Sequence, residues 1–255
     1  MAAMEKQPAW LQEVATPAYV IDEKQLIHNL EILKGVQDRT GCSILLAQKA
    51  FSMYACYPLI AKYLKGAAAS GLFEARLAYE EFSELLQYCD HFVFNSVTQW
   101  KKFRERALAA HKECGLRINP EHSTQDHAIY DPCSPLSRLG ARISEIQPEE
   151  LEGLTGFHFH TLCEQGAEPL AETLEAVEEK FGKYLPQLKW INFGGGHHIT
   201  KEGYNIPLLE KCINRMQEKY GLKVYLEPGE AVALNAGFLI TEVLELIEGA
   251  EREMP

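Results

Sequence analysis

Apolar and polar positions along the chain fall into two alternating periods, one of strands and one of helices. Thr16–Ile21 (TPAYVI) is a β-rich run, and Asp22 is placed to cap a helix running through Lys34. Ser43–Ala50 reads as a short apolar strand, followed by an amphipathic helix over Tyr54–Lys65 and a small-residue strand at Gly66–Gly71. A helix over Phe73–Tyr88, a strand at His91–Asn95, a helix over Thr98–Lys112 and a strand at Gly115–Asn119 continue the pattern. Pro120–Arg142, with two Pro turns containing Asp or Ser, reads as an extended loop. Beyond it come strand Thr155–His160, helix Pro169–Phe181, strand Leu188–Phe193, helix Pro207–Tyr220 and strand Lys223–Glu227, then an apolar run at Phe238–Ile247.

Strands recur at spacings of about 25–35 residues with a helix between them, the signature of βαβ units and a parallel sheet. Roughly eight strands favour a closed (β/α)8 barrel over an open doubly wound sheet. Lys49, Ser70, Asn95, His160, Gly194–Gly196 and Glu227 all stand at the C-terminal ends of expected strands, the face on which barrels carry their chemistry.

Composition narrows the function. A chain of 255 residues, 46% hydrophobic and 24% charged, has the balance of a soluble globular protein. Its net charge of −11 argues against a nucleic-acid surface and against adhesion to an anionic membrane. No apolar run approaches the about 18 residues of a membrane span, and MAAMEKQPAW lacks the apolar core of a signal peptide. Seven scattered cysteines without C-x-x-C fit reduced thiols in a cytoplasm.

Four features carry candidate chemistry. Lys49 ends an apolar strand, and no Asp or Glu occurs between Asp38 and Glu74. Burial without a carboxylate partner favours the neutral amine that attacks a carbonyl; the plainer alternative is a lysine snorkelling into solvent. Gly194-Gly195-Gly196 follows a strand, where backbone N–H groups can converge on a phosphate, although a tight turn would also call for glycine. In GFHFH, His158 and His160 share one face and Phe157 and Phe159 the other. The two histidines could ligate a metal with help from His197 and His198, or one imidazole could lie flat on a cofactor ring. A metal site would add carboxylates at strand ends, where only Glu227 is well placed, so no metal is expected. Glu227, ahead of Pro228-Gly229, can keep a pyridine nitrogen protonated or simply pair with a neighbouring cation. An amine, a phosphate nest, a ring-facing histidine and a carboxylate together match the parts of pyridoxal phosphate.

On TPAYVID, LLAQKAFS, GAAASGLFEARL, HFVFNSVTQW, GLRINPE, YDPCSPLSRLG, GFHFHTLCEQ, WINFGGGHHIT and YLEPGEAVALNAG, the chain resembles the carboxynorspermidine decarboxylases. These are polyamine-biosynthetic enzymes of the alanine racemase-like class that also includes ornithine and diaminopimelate decarboxylases. The segments run from Thr16 to Gly237, and FHFHTLCE, GGGHHIT and EPGEA distinguish this branch. The resemblance implies pyridoxal phosphate as cofactor, Lys49 as Schiff-base lysine and His160 as the ring-stacking residue. It further implies Gly194, Gly195 and Gly196 at the phosphate, Glu227 at the pyridine nitrogen and Arg138 near the cofactor oxygens. Relatives often carry an arginine after EPG to hold the phosphate, where this chain has Glu230. The implied reaction decarboxylates carboxynorspermidine or carboxyspermidine to norspermidine or spermidine, in a cytoplasmic homodimer.

Two departures are expected to matter. Members of the family continue into a β-sandwich domain that supplies a Cys-Asp pair and a tyrosine across the dimer interface, whereas this chain stops at Pro255. The division implied is an N-terminal β segment over 1–22, a cofactor-binding barrel over 23–237 and the start of a truncated β domain over 238–255. Relatives also carry an extra strand and loop after EARL, where this chain passes straight into EEFSELLQYCD. If that segment is absent, Phe238–Ile247 is wrongly enlisted as the eighth strand and the barrel is one strand short, with an open seam. Three alternatives stay open: a single-barrel pyridoxal phosphate carrier without decarboxylase activity, a catalytically impaired truncated decarboxylase, and a metallohydrolase built on His158 and His160.

Overall fold

A computed structural model describes residues 13–70, 89–125 and 131–245. The helix expected over Phe73–Tyr88 and the residues around EARL lie outside the described part. Seven short parallel strands form one sheet: β2 (Ser43–Ala47), β3 (Gly66–Ala68), β4 (His91–Phe94), β5 (Glu113–Arg117), β6 (Gly156–His158), β7 (Trp190–Asn192) and β8 (Lys223–Leu226). Their order is β3-β2-β8-β7-β6-β5-β4, so β3 and β4 are the two edges among the described residues. The eighth strand read from Phe238–Ile247 is not part of this sheet. Gly237–Ile240 (β9) instead pairs antiparallel with Ala18–Ile21 (β1) in a separate two-stranded sheet. The apolar run reads equally as a barrel strand or as half of a ribbon, and only pairing with β1 distinguishes the two. Among the described residues the fold is thus a curled partial (β/α) barrel.

Local sequence explains the elements. The Asp22 carboxylate accepts from the backbone N–H groups of Lys24 (2.9 Å) and Gln25 (3.3 Å), which caps the helix Glu23–Thr40, and left-handed Gly41 ends it. Leu26, Leu30, Leu33 and Val36 recur on one face and are fully buried. Each such burial stabilises by roughly 2 kcal/mol. On the same helix Gln37 donates to the Tyr63 carbonyl and accepts from the Ile44 backbone N–H, which ties it to the start of β2. The helix expected over Tyr54–Lys65 is shorter: a 3-10 turn at Tyr54–Cys56 leads into α-helix Tyr57–Ile60, with Pro58 in its first turn.

The strand alternation sorts two sides of the sheet. Phe157 packs edge-on against Phe181 of the helix Ala167–Phe181, and Phe159 stacks on Phe193 at 5.4 Å. On the opposite side Trp190, His91 and Tyr225 pack together, with ring centroids 5.2–6.0 Å apart. Gly115 and Gly156 make room for the Trp190 indole, because a Cβ on either would overlap it. This cluster fills one end of the curled sheet, and the polar groups gather toward the other end, where the strands finish.

Candidate active site

Strand register assembles the site. Arg117, His158 and Asn192 are consecutive partners across β5, β6 and β7, and Glu227 directly follows β8. The Glu227 carboxylate accepts from the Asn192 side-chain amide at 2.7 Å and lies 3.7 Å from Nε2 of His158. Burial pushes this carboxyl upward. The adjacent His158 and the Asn192 hydrogen bond more than offset that and bring it down to about 2. Glu227 is therefore an anion throughout the physiological range.

His160 stands just past β6. Its Nδ1 accepts from the Gly195 backbone N–H at 3.3 Å, and its carbonyl accepts from the Arg117 guanidinium at 3.3 Å. Burial, and then the cationic charge of Lys49, hold its imidazole far down, at about 3. The ring is neutral at working pH, and an Nδ1 that accepts leaves any ring proton on Nε2. His158 and His160 do lie on the side opposite Phe157 and Phe159. His158 turns its Nε2 to Glu227, and no ligating group set forms around the pair among the described residues.

The three glycines are required by close backbone approach. A Cβ on Gly195 would sit 2.6 Å from the Glu227 carbonyl oxygen and 3.2 Å from Cε1 of His160. Cβ atoms on Gly194 and Gly196, both left-handed, would overlap the Phe159 and Leu162 carbonyls. The Gly194 N–H donates to Asn192 at 2.8 Å and that of Gly195 to His160, so these amides orient two site side chains.

Lys49 is placed differently from the expectation. β2 ends at Ala47, and Lys49 stands on the following turn, exposed and not buried. The turn is fixed on two sides: the Ala47 N–H donates to the Pro228 carbonyl (3.2 Å) and the Gln48 N–H to that of Ala68 (3.1 Å). Gly229 is packed against Ala50 and Ala47 so closely that a Cβ would overlap Ala50. The EPG segment thus supplies Glu227 and also seats the lysine turn.

Arg138 is exposed on its loop, and its side chain makes no hydrogen bond or ion pair among the described residues. Its carbonyl accepts from Asn95, whose side chain also accepts from the Gly140 N–H and so pins the loop. Arg117, Asn192 and the His158–Glu227 contact were not singled out from sequence. Their only signal there is inward alternation on strands next to named residues.

The residues present fit pyridoxal phosphate: an unpaired amine, a neutral imidazole, a permanent anion and a loop that admits no side chains. No family model matches the chain. It is 39% identical over 257 residues to a carboxynorspermidine/carboxyspermidine decarboxylase of Campylobacter jejuni, covering 94% of this chain and 67% of that protein. A carboxyaminopropylagmatine decarboxylase of Synechocystis is 36% identical, with the same two shares of 94% and 67%. The crystal structure of carboxynorspermidine decarboxylase from Campylobacter jejuni, complexed with norspermidine, aligns with a TM-score of 0.85 at 38% identity. That alignment covers 92% of this chain and 65% of the other. The chain spans about two thirds of the length of these relatives. It belongs to the carboxynorspermidine/carboxyspermidine decarboxylase family, whose fold is the alanine racemase-like one of pyridoxal phosphate decarboxylases.

Proposed function

We propose that this protein is a pyridoxal phosphate-dependent decarboxylase of carboxynorspermidine and carboxyspermidine, acting in polyamine biosynthesis. The observation that carries the reading is Glu227, an anion held by Asn192 and His158 beside a neutral His160, with the Lys49 turn seated on the same EPG segment. When bound, pyridoxal phosphate supplies the electron sink for the carbanion left as carbon dioxide departs. The Lys49 amine would hold the cofactor covalently and give way to the substrate amine. Glu227, an anion held by Asn192 and His158, would keep the pyridine nitrogen of a bound cofactor protonated. His160 offers an uncharged face for the ring, fixed by its bond from Gly195. Arg117 brings a half-buried cation to the His160 carbonyl, where it could hold a cofactor or substrate oxygen. Arg138 is proposed to reach the cofactor oxygens from its exposed loop. By the same reading the protein is a cytoplasmic homodimer, with an N-terminal β segment over 1–22, the barrel over 23–237 and the start of a C-terminal β domain over 238–255. No helix of the described residues is long and apolar enough to cross a membrane.

A second reading is favoured by the Synechocystis relative, whose name makes carboxyaminopropylagmatine a third substrate to test. The experiment is an absorbance titration of the protein with pyridoxal phosphate, wild type against Lys49→Ala, followed by carbon dioxide release from the three carboxylated amines. A near-visible band that needs Lys49, with turnover of carboxynorspermidine or carboxyspermidine, is the expected result. The band without turnover would leave a cofactor carrier or an impaired enzyme, and no band in either protein would sink the reading.

A further inference from the structure

Beside this centre, three loops at the strand ends bring together a second group of side chains. Gln165 is zipped to the glycine loop: its N–H donates to the Gly196 carbonyl at 3.0 Å, and its carbonyl accepts from the His198 N–H at 3.1 Å. That pairing places Glu164 next to His198, and the EPG turn brings Glu230 to the same point. One donor atom from each of Glu164, His198 and Glu230 lies within 4.8 Å of the other two. His198 is only 6% exposed, and neither of its ring nitrogens has a hydrogen-bond partner among the described residues. Its Nε2 is 3.1 Å from a Glu230 carboxylate oxygen without the alignment of a hydrogen bond. No Lys or Arg forms an ion pair with Glu164 or Glu230 among the described residues.

An unmet nitrogen on a buried imidazole costs about 1–3 kcal/mol, and two converging carboxylates repel. One cation between them gives one imidazole nitrogen a partner and offsets the repulsion of the carboxylates. We infer that Glu164, His198 and Glu230 form a binding site for a borderline divalent cation such as Zn2+. An imidazole with two carboxylates is a nitrogen–oxygen donor set that suits such ions better than Mg2+ or Ca2+, which prefer oxygen alone. Bonds of about 2.0–2.2 Å put tetrahedral donors about 3.4 Å apart, so closure needs only rotation of the two exposed glutamates toward the fixed imidazole. The site uses neither Glu227 nor His160 and does not rest on the proposed decarboxylation.

Co2+, titrated into metal-free reduced protein and followed by visible absorbance, tests the site. One equivalent is expected to bind with weak ligand-field bands and no thiolate charge transfer. Glu164→Gln and Glu230→Gln, both at exposed positions, should each weaken binding at least tenfold, and His198→Ala should abolish it. Failure to bind, thiolate bands, or unchanged affinity in both glutamine variants would overturn the inference. So would Glu164→Gln lowering affinity for norspermidine in a protein that takes up no Co2+, because the cluster would then serve an ammonium.

Discussion

At the scale of single residues, the site sets opposite protonation states side by side. Glu227 is depressed from the usual carboxyl range to about 2, so its contribution to stability is complete above pH about 4.5 and lost as pH falls toward 2. His160 and His197 are depressed by burial to about 3 and about 4. Unfolded histidine titrates near 6.5, so between that value and the depressed ones the unfolded chain binds more protons than the folded one. Stability should therefore decline on acidification from pH about 6.5, well before Glu227 titrates. Urea unfolding midpoints at several pH values between 7 and 4.5 measure this. His160→Gln should flatten the decline because it removes one of the histidines that burial pushes down, His91, His160 and His197. A slope unchanged in the variant would mean that His160 is not held neutral in the folded protein.

At the scale of elements, the β5–β6–β7 segment is built around the Trp190 indole. Gly115 pairs in register with Gly156, and Gly156 with Trp190, so both glycines lie beneath the ring. Gly156→Ala should cost about 3 kcal/mol through overpacking, read as a lower urea midpoint at an unchanged slope. Trp190→Leu should restore much of the loss if the clash is the cause; equal destabilisation in both backgrounds would assign it to the backbone instead. The same segment shows what the sequence made legible. Alternation in GFHFH was enough to put Phe157 on the helix side and His158 on the site side, because period two needs no partner. Asn192 and Arg117 were invisible because their roles arise from register between strands, which local pattern does not encode. Lys49 misled for a related reason: the apolar run continues to Ala50, but pairing stops at Ala47, and the lysine falls on the turn.

At the scale of the whole molecule, the parallel sheet stays open between β3 and β4 among the described residues, and the β1–β9 ribbon exposes apolar side chains. Tyr19 is 75% exposed and its cross-strand partner Leu239 59%, and Phe238, next to Leu239 on the same strand, is exposed as well. An exposed apolar strip of this kind marks an interaction surface. Against it stands the net charge of −11, which makes two copies repel at low ionic strength. If the homodimer forms through this ribbon, association is driven by apolar burial and opposed by charge. Raising salt from about 0.05 to about 0.5 M should then strengthen it, since screening removes the repulsion and leaves the apolar term. Light scattering should give twice the 28.8 kDa of one chain, more completely in high salt. Leu239→Asp, at an exposed position that costs the fold little, should return it to the single-chain mass. A dimer that weakens with salt would place the interface at complementary charges elsewhere, and a single-chain mass for the wild type at both salt concentrations would exclude the homodimer.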